Sequence, residues 1–303
     1  MLLLEWRHGS TPEGVTMSAS RHLPASQILD TAAGPIEYAE RGSGTPLIVL
    51  HGTPGGFDQG LTLSETIGTT AGIRLISISR PGYLRTPLEI APGPRRQGAL
   101  IGPLLDALGL DTAAVAGVSG GGMAALWAAA TLPDRISSLI LLEALVEAQD
   151  ISLPAGARYL LTRRGIARAA VTAPVQRVLA RGVPGPDAEG WDARAVVRSI
   201  TASGFPFAPR LRGTESDTHY AAEFVAPRPE LVTVPTLIVH GERDRTVPIG
   251  PARNLAGVLP RAKFVPIAGA DHTGTVPSLT VRREVPAFVR AHAGEPVTVP
   301  RSE

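Results

Sequence analysis

Residues 113–130, AAVAGVSGGGMAALWAAA, place one hydroxyl, that of Ser119, between a strand-like apolar run and a helix-like alanine run. Glycine occupies four of the positions around it, namely Gly117, Gly120, Gly121 and Gly122. Such a stretch is open to three interpretations. It is a tight turn with a capping serine, a phosphate-binding loop, or a nucleophile held on a strained turn.

The phosphate-binding interpretation does not fit the residues. A Walker loop ends in Gly-Lys-Ser/Thr, and the only lysine in the chain is Lys263. A dinucleotide fingerprint, G-x-G-x-x-G, fails because Ser119 stands where its second glycine belongs. Residues 117–121, GVSGG, instead match G-x-S-x-G, the nucleophile elbow, which requires a strand before the serine and a helix after it.

Composition excludes several function classes. With 29 basic and 27 acidic residues the formal charge is only +2, so nothing indicates a nucleic-acid partner. The chain has no cysteine, which rules out disulfides, zinc–thiolate sites and a cysteine nucleophile. No apolar run reaches the roughly 18 residues of a membrane span, and the N-terminus does not resemble a signal peptide. We therefore expect a cytoplasmic protein, with Met17 as an alternative start.

Short apolar runs bounded by glycine and proline recur along the chain and indicate buried parallel strands. Helix-like segments at 95–110 and 121–133 alternate with these runs, which predicts an α/β fold with a doubly wound, mostly parallel sheet. A hairpin is expected at 27–42. The strand-like runs lie at 46–52, 73–82, 113–121, 136–145, 235–244 and 262–272.

The alternation stops after Leu145 and resumes near Pro235, and the residues between are rich in arginine with helical periodicity. We interpret residues 146–228 as a helical cap inserted into a core formed by residues 27–145 and 229–303. Residues 1–26 show no periodicity and are predicted to form a loose N-terminal extension.

Two residues with the chemistry to activate a serine follow the elbow in the chain. Asp244 comes directly after one strand-like run and His272 after the next. The carboxyl ends of parallel strands share one edge of the sheet, so Ser119, Asp244 and His272 are predicted to converge there. The loop HGTPGG, residues 51–56, follows an earlier strand and brings flexible backbone amides to the same edge.

Over about residues 27–292 the chain resembles the α/β-hydrolase superfamily. The motifs that carry this resemblance are the elbow, the loop at 51–56, RPGY at 80–83, GERDRTVP at 241–248 and GADH at 269–272. The resemblance implies Ser119 as nucleophile, His272 as general base and acid, and Asp244 as the orienting carboxylate. It also implies an oxyanion hole made by the backbone N–H groups of Thr53 and Gly120. Glu143, at the end of a strand-like run, is an alternative acid, because some relatives carry theirs there.

Substrate choice is expected to lie beneath the cap. The candidate pocket residues are His51, Phe205, Phe207, Tyr220 and Phe224.

A serine elbow favours acyl chemistry, and no metal or cofactor is expected. We expect a serine hydrolase that acts on a small, fairly apolar ester or lactone. A proline-iminopeptidase-like enzyme is an alternative, with Glu215, Asp217 and Glu223 as acids for a free amine, and so is a hydrolase of C–C bonds. A non-catalytic small-molecule binder is the alternative from another class. The sequence does not predict an oligomeric state.

Overall fold

The computed structural model describes residues 25–68, 71–152, 183 and 191–294. Eight strands of these ranges form one sheet. They are Gln27–Thr31 (β1), Gly34–Arg41 (β2), Thr45–Leu50 (β3), Ile73–Ile78 (β4), Ala113–Val118 (β5), Ile136–Leu142 (β6), Thr236–Gly241 (β7) and Ala262–Ile267 (β8).

The strand order is β1-β2-β4-β3-β5-β6-β7-β8. Strands β3 to β8 are parallel, whereas β1 and β2 form an antiparallel hairpin that joins the sheet beside β4. The predicted mostly parallel sheet and the hairpin at 27–42 are therefore confirmed. Each of the six apolar runs forms one strand.

The helices are Phe57–Ile67 (α1), Pro94–Ala99 (α2), Ile101–Ala107 (α3), Gly122–Thr131 (α4), Ala193–Ala202 (α5), Leu211–Ala222 (α6), Ile249–Val258 (α7), His272–Thr275 (α8) and Leu279–Ala291 (α9). The segment 95–110, predicted as one helix, divides at Leu100 into α2 and α3. Pro103 has no N–H to donate to the carbonyl of Ala99, which removes a hydrogen bond at that point.

Both faces of the sheet are covered. Helices α3, α4 and α7 contribute to the apolar core on one face, and α1 and α9 to the core on the other. Strand β3 shows why the apolar runs lack alternation: Leu47 and Val49 enter one core, while Ile48 and Leu50 enter the other. Strands β3, β5, β7 and β8 end at one edge of the sheet, where the candidate site residues follow them.

The segment between β6 and β7 contains the predicted cap. Helices α5 and α6 belong to it, whereas residues 153–182 and 184–190 lie outside the described residues, as do residues 1–24 of the predicted extension. The boundaries of cap and extension remain predictions. Across the part of the chain that the structure describes, no helix is both long and apolar enough to cross a membrane.

Candidate active site

Ser119 lies at the turn between β5 and α4 with a φ of 50°, a left-handed conformation that residues with a side chain seldom adopt. The turn fits because its neighbours are glycine. A Cβ on Gly117 would lie 2.6 Å from the Cβ of Ala125, and one on Gly121 would lie 2.2 Å from the carbonyl oxygen of Leu50. The glycines thus allow β3, β5 and α4 to meet closely around the serine.

His272 joins Ser119 to Asp244 by hydrogen bonds. Its Nε2 lies 3.1 Å from Ser119 Oγ, and its Nδ1 lies 2.7 Å from Asp244 Oδ2. A carboxylate accepts only, so Nδ1 carries the proton and Nε2 is left to accept one from the serine hydroxyl. The structure therefore brings together the three side chains that the sequence predicted to converge, although Ser119 and His272 are 153 positions apart in the chain.

Asp244 is held firmly on the other side. Its Oδ1 accepts hydrogen bonds from the backbone N–H groups of Thr246, at 2.9 Å, and Val247, at 2.8 Å. Burial alone would raise the pKa of Asp244, but hydrogen bonds from His240 and His272 hold that pKa well below its ordinary value. Asp244 therefore stays ionised beside the imidazole at all ordinary pH values.

The basicity of His272 depends on its acidic neighbours. Burial by itself would lower the pKa of His272. The charges of Glu143 and Asp244, together with the hydrogen bond to Asp244, raise that pKa above its ordinary value. An imidazole with a raised pKa is a stronger base towards the serine hydroxyl.

Glu143, the alternative acid, occupies a different place from Asp244. It follows β6 with a φ of 42°, is 5% exposed, and faces the cavity beside Ser119. The Nδ1 of His272 is bonded to Asp244, while Glu143 Oε2 has no hydrogen-bond partner within the described residues. Burial, reinforced by the charge of Asp244 and opposed by that of His272, raises the pKa of Glu143 to about 7.

The loop predicted to supply an oxyanion donor passes over the elbow. A Cβ on Gly120 would lie 2.4 Å from Thr53 Oγ1, so Thr53 packs directly against the backbone of Gly120. His51 braces the start of this loop, because its Nε2 accepts a hydrogen bond from the backbone N–H of Arg80 at 3.0 Å. Burial and the charge of Arg80 lower the pKa of His51 well below its ordinary value, which keeps its ring neutral.

A cavity of about 130 Å³ opens beside Ser119 and His272. Ile200, from helix α5 of the predicted cap, forms part of its wall. The described lining consists of His51, Gly52, Thr53, Gln59, Gly60, Thr62, Leu63, Val118, Ser119, Glu143, Ile200, His272, Thr273 and Val276. Within the described ranges, no group of three or more His, Asp or Glu side chains is arranged to hold a metal ion.

Of the five predicted pocket residues, only His51 is in the described lining of this cavity, and the assignment of the other four to a substrate pocket stays a prediction. Phe224 packs with Met123, Leu145 and Val247 in a small core between cap and sheet. The other three are also absent from the described lining: Phe207 is buried, Tyr220 packs over Gly93, and Phe205 is half-buried. Aromatic rings bury the most apolar surface, and in Phe224 that surface attaches the cap to the core rather than facing a substrate.

Sequence analysis did not predict a buried polar cluster beside the loop at 51–56, formed by Thr53, Arg80, Tyr83 and Asp217. Asp217, on α6, accepts hydrogen bonds from Arg80 Nη1 at 2.8 Å, from the Tyr83 hydroxyl at 2.5 Å and from the Thr53 hydroxyl. The RPGY motif at 80–83 was a signal for two of its members, whereas nothing marked Asp217 as their partner.

The chain is similar to known hydrolases in sequence. Residues 45–275 match the family model described as the alpha/beta hydrolase fold. A 2-hydroxy-6-oxononadienedioate/2-hydroxy-6-oxononatrienedioate hydrolase from Dechloromonas aromatica is 25% identical over 248 residues, which cover 76% of this chain and 81% of that protein. The uncharacterized hydrolase YcgS from Bacillus subtilis is 33% identical over 118 residues, 38% of this chain and 39% of that protein.

Solved structures of alpha/beta hydrolases are similar to this chain in fold. An alpha/beta hydrolase fold protein from Nakamurella multipartita superposes with a TM-score of 0.75 at 27% sequence identity, over 88% of this chain and 99% of the other.

Proposed function

The chain is an enzyme of the alpha/beta hydrolase family, and from that premise we propose that it is a serine hydrolase of small, fairly apolar carboxylic esters or lactones. The observation that carries this proposal is the hydrogen-bonded series Ser119–His272–Asp244 at the wall of a small cavity.

In the proposed reaction Ser119 Oγ attacks the substrate carbonyl carbon while His272 Nε2 takes the serine proton. The negative charge that forms on the carbonyl oxygen is stabilised by the backbone N–H groups of Thr53 and Gly120, and a donor of this kind contributes about 3 kcal/mol. His272 then gives its proton to the leaving alkoxide, and the acyl group stays on Ser119. A water molecule, deprotonated by His272, releases the acid and restores the serine.

Asp244 supports both halves of this reaction without exchanging protons. Its ionised carboxylate fixes the tautomer in which His272 Nε2 is the base, and it stabilises the imidazolium that forms in each step.

The size and lining of the cavity support a small acyl group. Its volume of about 130 Å³ lies below the roughly 300–1,000 Å³ of drug-sized ligand sites. Leu63, Ile200 and Val276 give it an apolar wall. An acyl chain of a few carbons suits such a space, whereas a long lipid chain does not.

A hydrolase of C–C bonds is the second candidate, favoured by the name of the relative from Dechloromonas aromatica. The named compounds are dioates, which carry two carboxylates. The described lining of the cavity contains no arginine or lysine to bind them, and it does contain Glu143. The charge of the site therefore supports the ester or lactone substrate over a dioate.

A proline-iminopeptidase-like activity has little support from the cap acids. Asp217 already accepts bonds from Arg80, Tyr83 and Thr53, and it does not line the cavity. Glu215 and Glu223 are exposed and also lie outside the described lining. A substrate amine would need a carboxylate that faces the cavity, and within the described lining Glu143 is the one that does.

The test is hydrolysis of p-nitrophenyl acetate and p-nitrophenyl butyrate, run in parallel with labelling by a fluorophosphonate. The wild-type protein should turn over both esters and become labelled. Ser119→Ala and His272→Ala should lose both properties, with kcat reduced by about 10⁴-fold or more. Ser152→Ala is the matched control, because Ser152 is exposed and outside the cavity lining.

Three results would contradict the proposal. If Ser119→Ala kept its turnover, the nucleophile would lie elsewhere. If the wild type neither hydrolysed the esters nor became labelled, yet cleaved a vinylogous diketone, the C–C hydrolase would replace the esterase. Ligand binding with no turnover of any of these compounds would favour the non-catalytic binder.

A further inference from the structure

The oxyanion loop and the cap share one buried carboxylate, that of Asp217. This side chain is 3% exposed, and both of its oxygens are used. Oδ1 accepts from Arg80 Nη1 at 2.8 Å, and Oδ2 accepts from Arg80 Nη2 at 2.5 Å, from the Tyr83 hydroxyl at 2.5 Å and from the Thr53 hydroxyl. Helix α6, in the predicted cap, is thereby bonded to the loop that carries Thr53.

Arg80 also binds the first residue of this loop, His51. Its Nε donates to the carbonyl of His51 at 2.8 Å, and its backbone N–H donates to His51 Nε2 at 3.0 Å. The loop is therefore held at His51 by Arg80, and at Thr53 by Asp217. Arg80 and Tyr83 are both fully buried, so water does not compete for these bonds.

Helix α6 approaches this cluster too closely to shift independently of it. A Cβ on Gly213 would lie 2.3 Å from the ring of Tyr83, and the Gly213 N–H donates to the Gly82 carbonyl at 2.9 Å. A displacement of α6 would therefore carry Asp217 away from Thr53.

We propose that Asp217 is a positioning residue for the oxyanion hole, which acts from the cap by holding the hydroxyl of Thr53 and so fixes the backbone N–H of Thr53 above Ser119. The cap then does more than cover the substrate, because the hole is complete only when α6 is docked. This inference rests on the proposed function.

The sharpest variant is Thr53→Val, which removes the hydroxyl but keeps the backbone N–H, the shape of the side chain and the Arg80–Asp217 ion pair. Its kcat for p-nitrophenyl acetate should fall about 10- to 100-fold, because a donor displaced by a fraction of an ångström stabilises the transition state less well. KM should stay nearly constant, since the interaction develops only in the transition state. Thr53→Ser, which restores the hydroxyl, should recover most of the lost kcat.

Asp217→Asn is the complementary variant, from the cap side of the same bond. It should also lower kcat with little change in KM, and its melting temperature must be recorded because the change leaves the buried Arg80 without a counter-charge. In combination with Thr53→Val it should add little further loss. Arg212→Ala is the matched control: Arg212 lies on the same helix and pairs with Glu89 of the core, at 2.6 Å, but both side chains are exposed. It should keep the wild-type kcat.

The outcomes separate this inference from the function on which it rests. If the wild type is labelled by the fluorophosphonate and Thr53→Val keeps the wild-type kcat, the inference is wrong and the proposed function stands. A loss that appears only in KM would likewise overturn it, since that marks a substrate contact. If the wild type shows neither labelling nor turnover, the proposed function fails, and the inference fails with it.

Discussion

At the scale of single residues, the charge of Glu143 contributes to the raised pKa of His272, the proposed general base. Its charge is among the causes that raise the pKa of His272, so Glu143→Gln should lower that pKa. The acid limb of kcat/KM reports the loss of the proton from His272 in the free enzyme, and we expect that limb to move to lower pH.

The measurement is the pH profile of kcat/KM for p-nitrophenyl acetate between about pH 5 and 9. Glu284→Gln is the control, because Glu284 pairs with Lys263 on the surface, at 2.6 Å. Its profile should coincide with that of the wild type. An acid limb that stays in place in Glu143→Gln, or moves to higher pH, would show that Glu143 does not act on His272 through its charge.

Gly121 offers a second test at this scale, since its constraint is steric and not conformational. Its φ of −70° and ψ of −18° suit any residue, but a Cβ there would lie 2.2 Å from the carbonyl oxygen of Leu50 and 2.7 Å from that of His51. Both obstacles are backbone atoms, so Gly121→Ala should destabilise the fold by about 3 kcal/mol or more.

Gly257→Ala is the matched control for Gly121→Ala. Gly257 lies in α7 with no atom near its would-be Cβ, and the change should stabilise the protein by up to about 1 kcal/mol. Urea unfolding of both variants measures the difference. A Gly121→Ala protein as stable as the wild type would mean that β3 and the elbow have room to separate.

The sequence predicted the three residues of the Ser119 series because each follows a strand, and parallel strands end at one edge. It did not predict the role of Asp217, because no strand end fixes where a side chain on an inserted helix will lie. The roles of the aromatic residues in the predicted cap are hard to assign from sequence for a related reason. Their apolar surface is equally suited to a substrate pocket and to an interface, and only the packing distinguishes the two.

At the scale of elements, strands were easier to predict than helices. The buried strands are short and nearly continuous in apolar residues, and this pattern is visible without tertiary information. Helix α1, FDQGLTLSETI, has a glycine and two threonines and was not predicted. Its Gly60 packs against Ser77 of β4, where a Cβ would lie 2.1 Å from Ser77 Oγ, so its stability comes from packing that the sequence does not display.

An ion pair joins α1 to Arg210, the residue directly before α6. Arg210 Nη2 lies 2.5 Å from Asp58 Oδ2, and the Arg210 side chain is 2% exposed. Asp58→Asn leaves that guanidinium buried without a counter-charge, and it should lower the free energy of unfolding by about 3 kcal/mol. Urea unfolding at pH 7, followed by tryptophan fluorescence, gives this quantity.

Glu284→Gln is again the control for Asp58→Asn, because an exposed pair contributes less than about 1 kcal/mol. If Asp58→Asn and Glu284→Gln lower the free energy of unfolding by the same amount, water reaches the Arg210 guanidinium, and the ion pair does not anchor α6.

At the scale of the whole molecule, the candidate site lies at the end of the sheet and is partly covered by Ile200 of the predicted cap, so several of its groups are buried. At such a position, burial disfavours the charged form of a carboxylate when one of its oxygens has no hydrogen-bond partner within the described residues. Glu143 is the clearest case, since burial raises its pKa to about 7 from an ordinary value of 4.5. The folded protein therefore binds the Glu143 proton more tightly than the unfolded chain does.

The sign of the pH dependence follows from that difference. Below pH 4.5 the carboxyl is protonated in both states, so the contribution of Glu143 to stability is fully present. As pH rises, the unfolded chain loses the proton first, and stability falls until the folded state also ionises near pH 7. The fall amounts to about 3 kcal/mol.

Because Glu143→Gln cannot ionise, its free energy of unfolding relative to the wild type should rise by about that amount between pH 4.5 and pH 8. Urea unfolding of both proteins across this range measures the change, and a constant difference at every pH would show that Glu143 ionises freely in the folded enzyme.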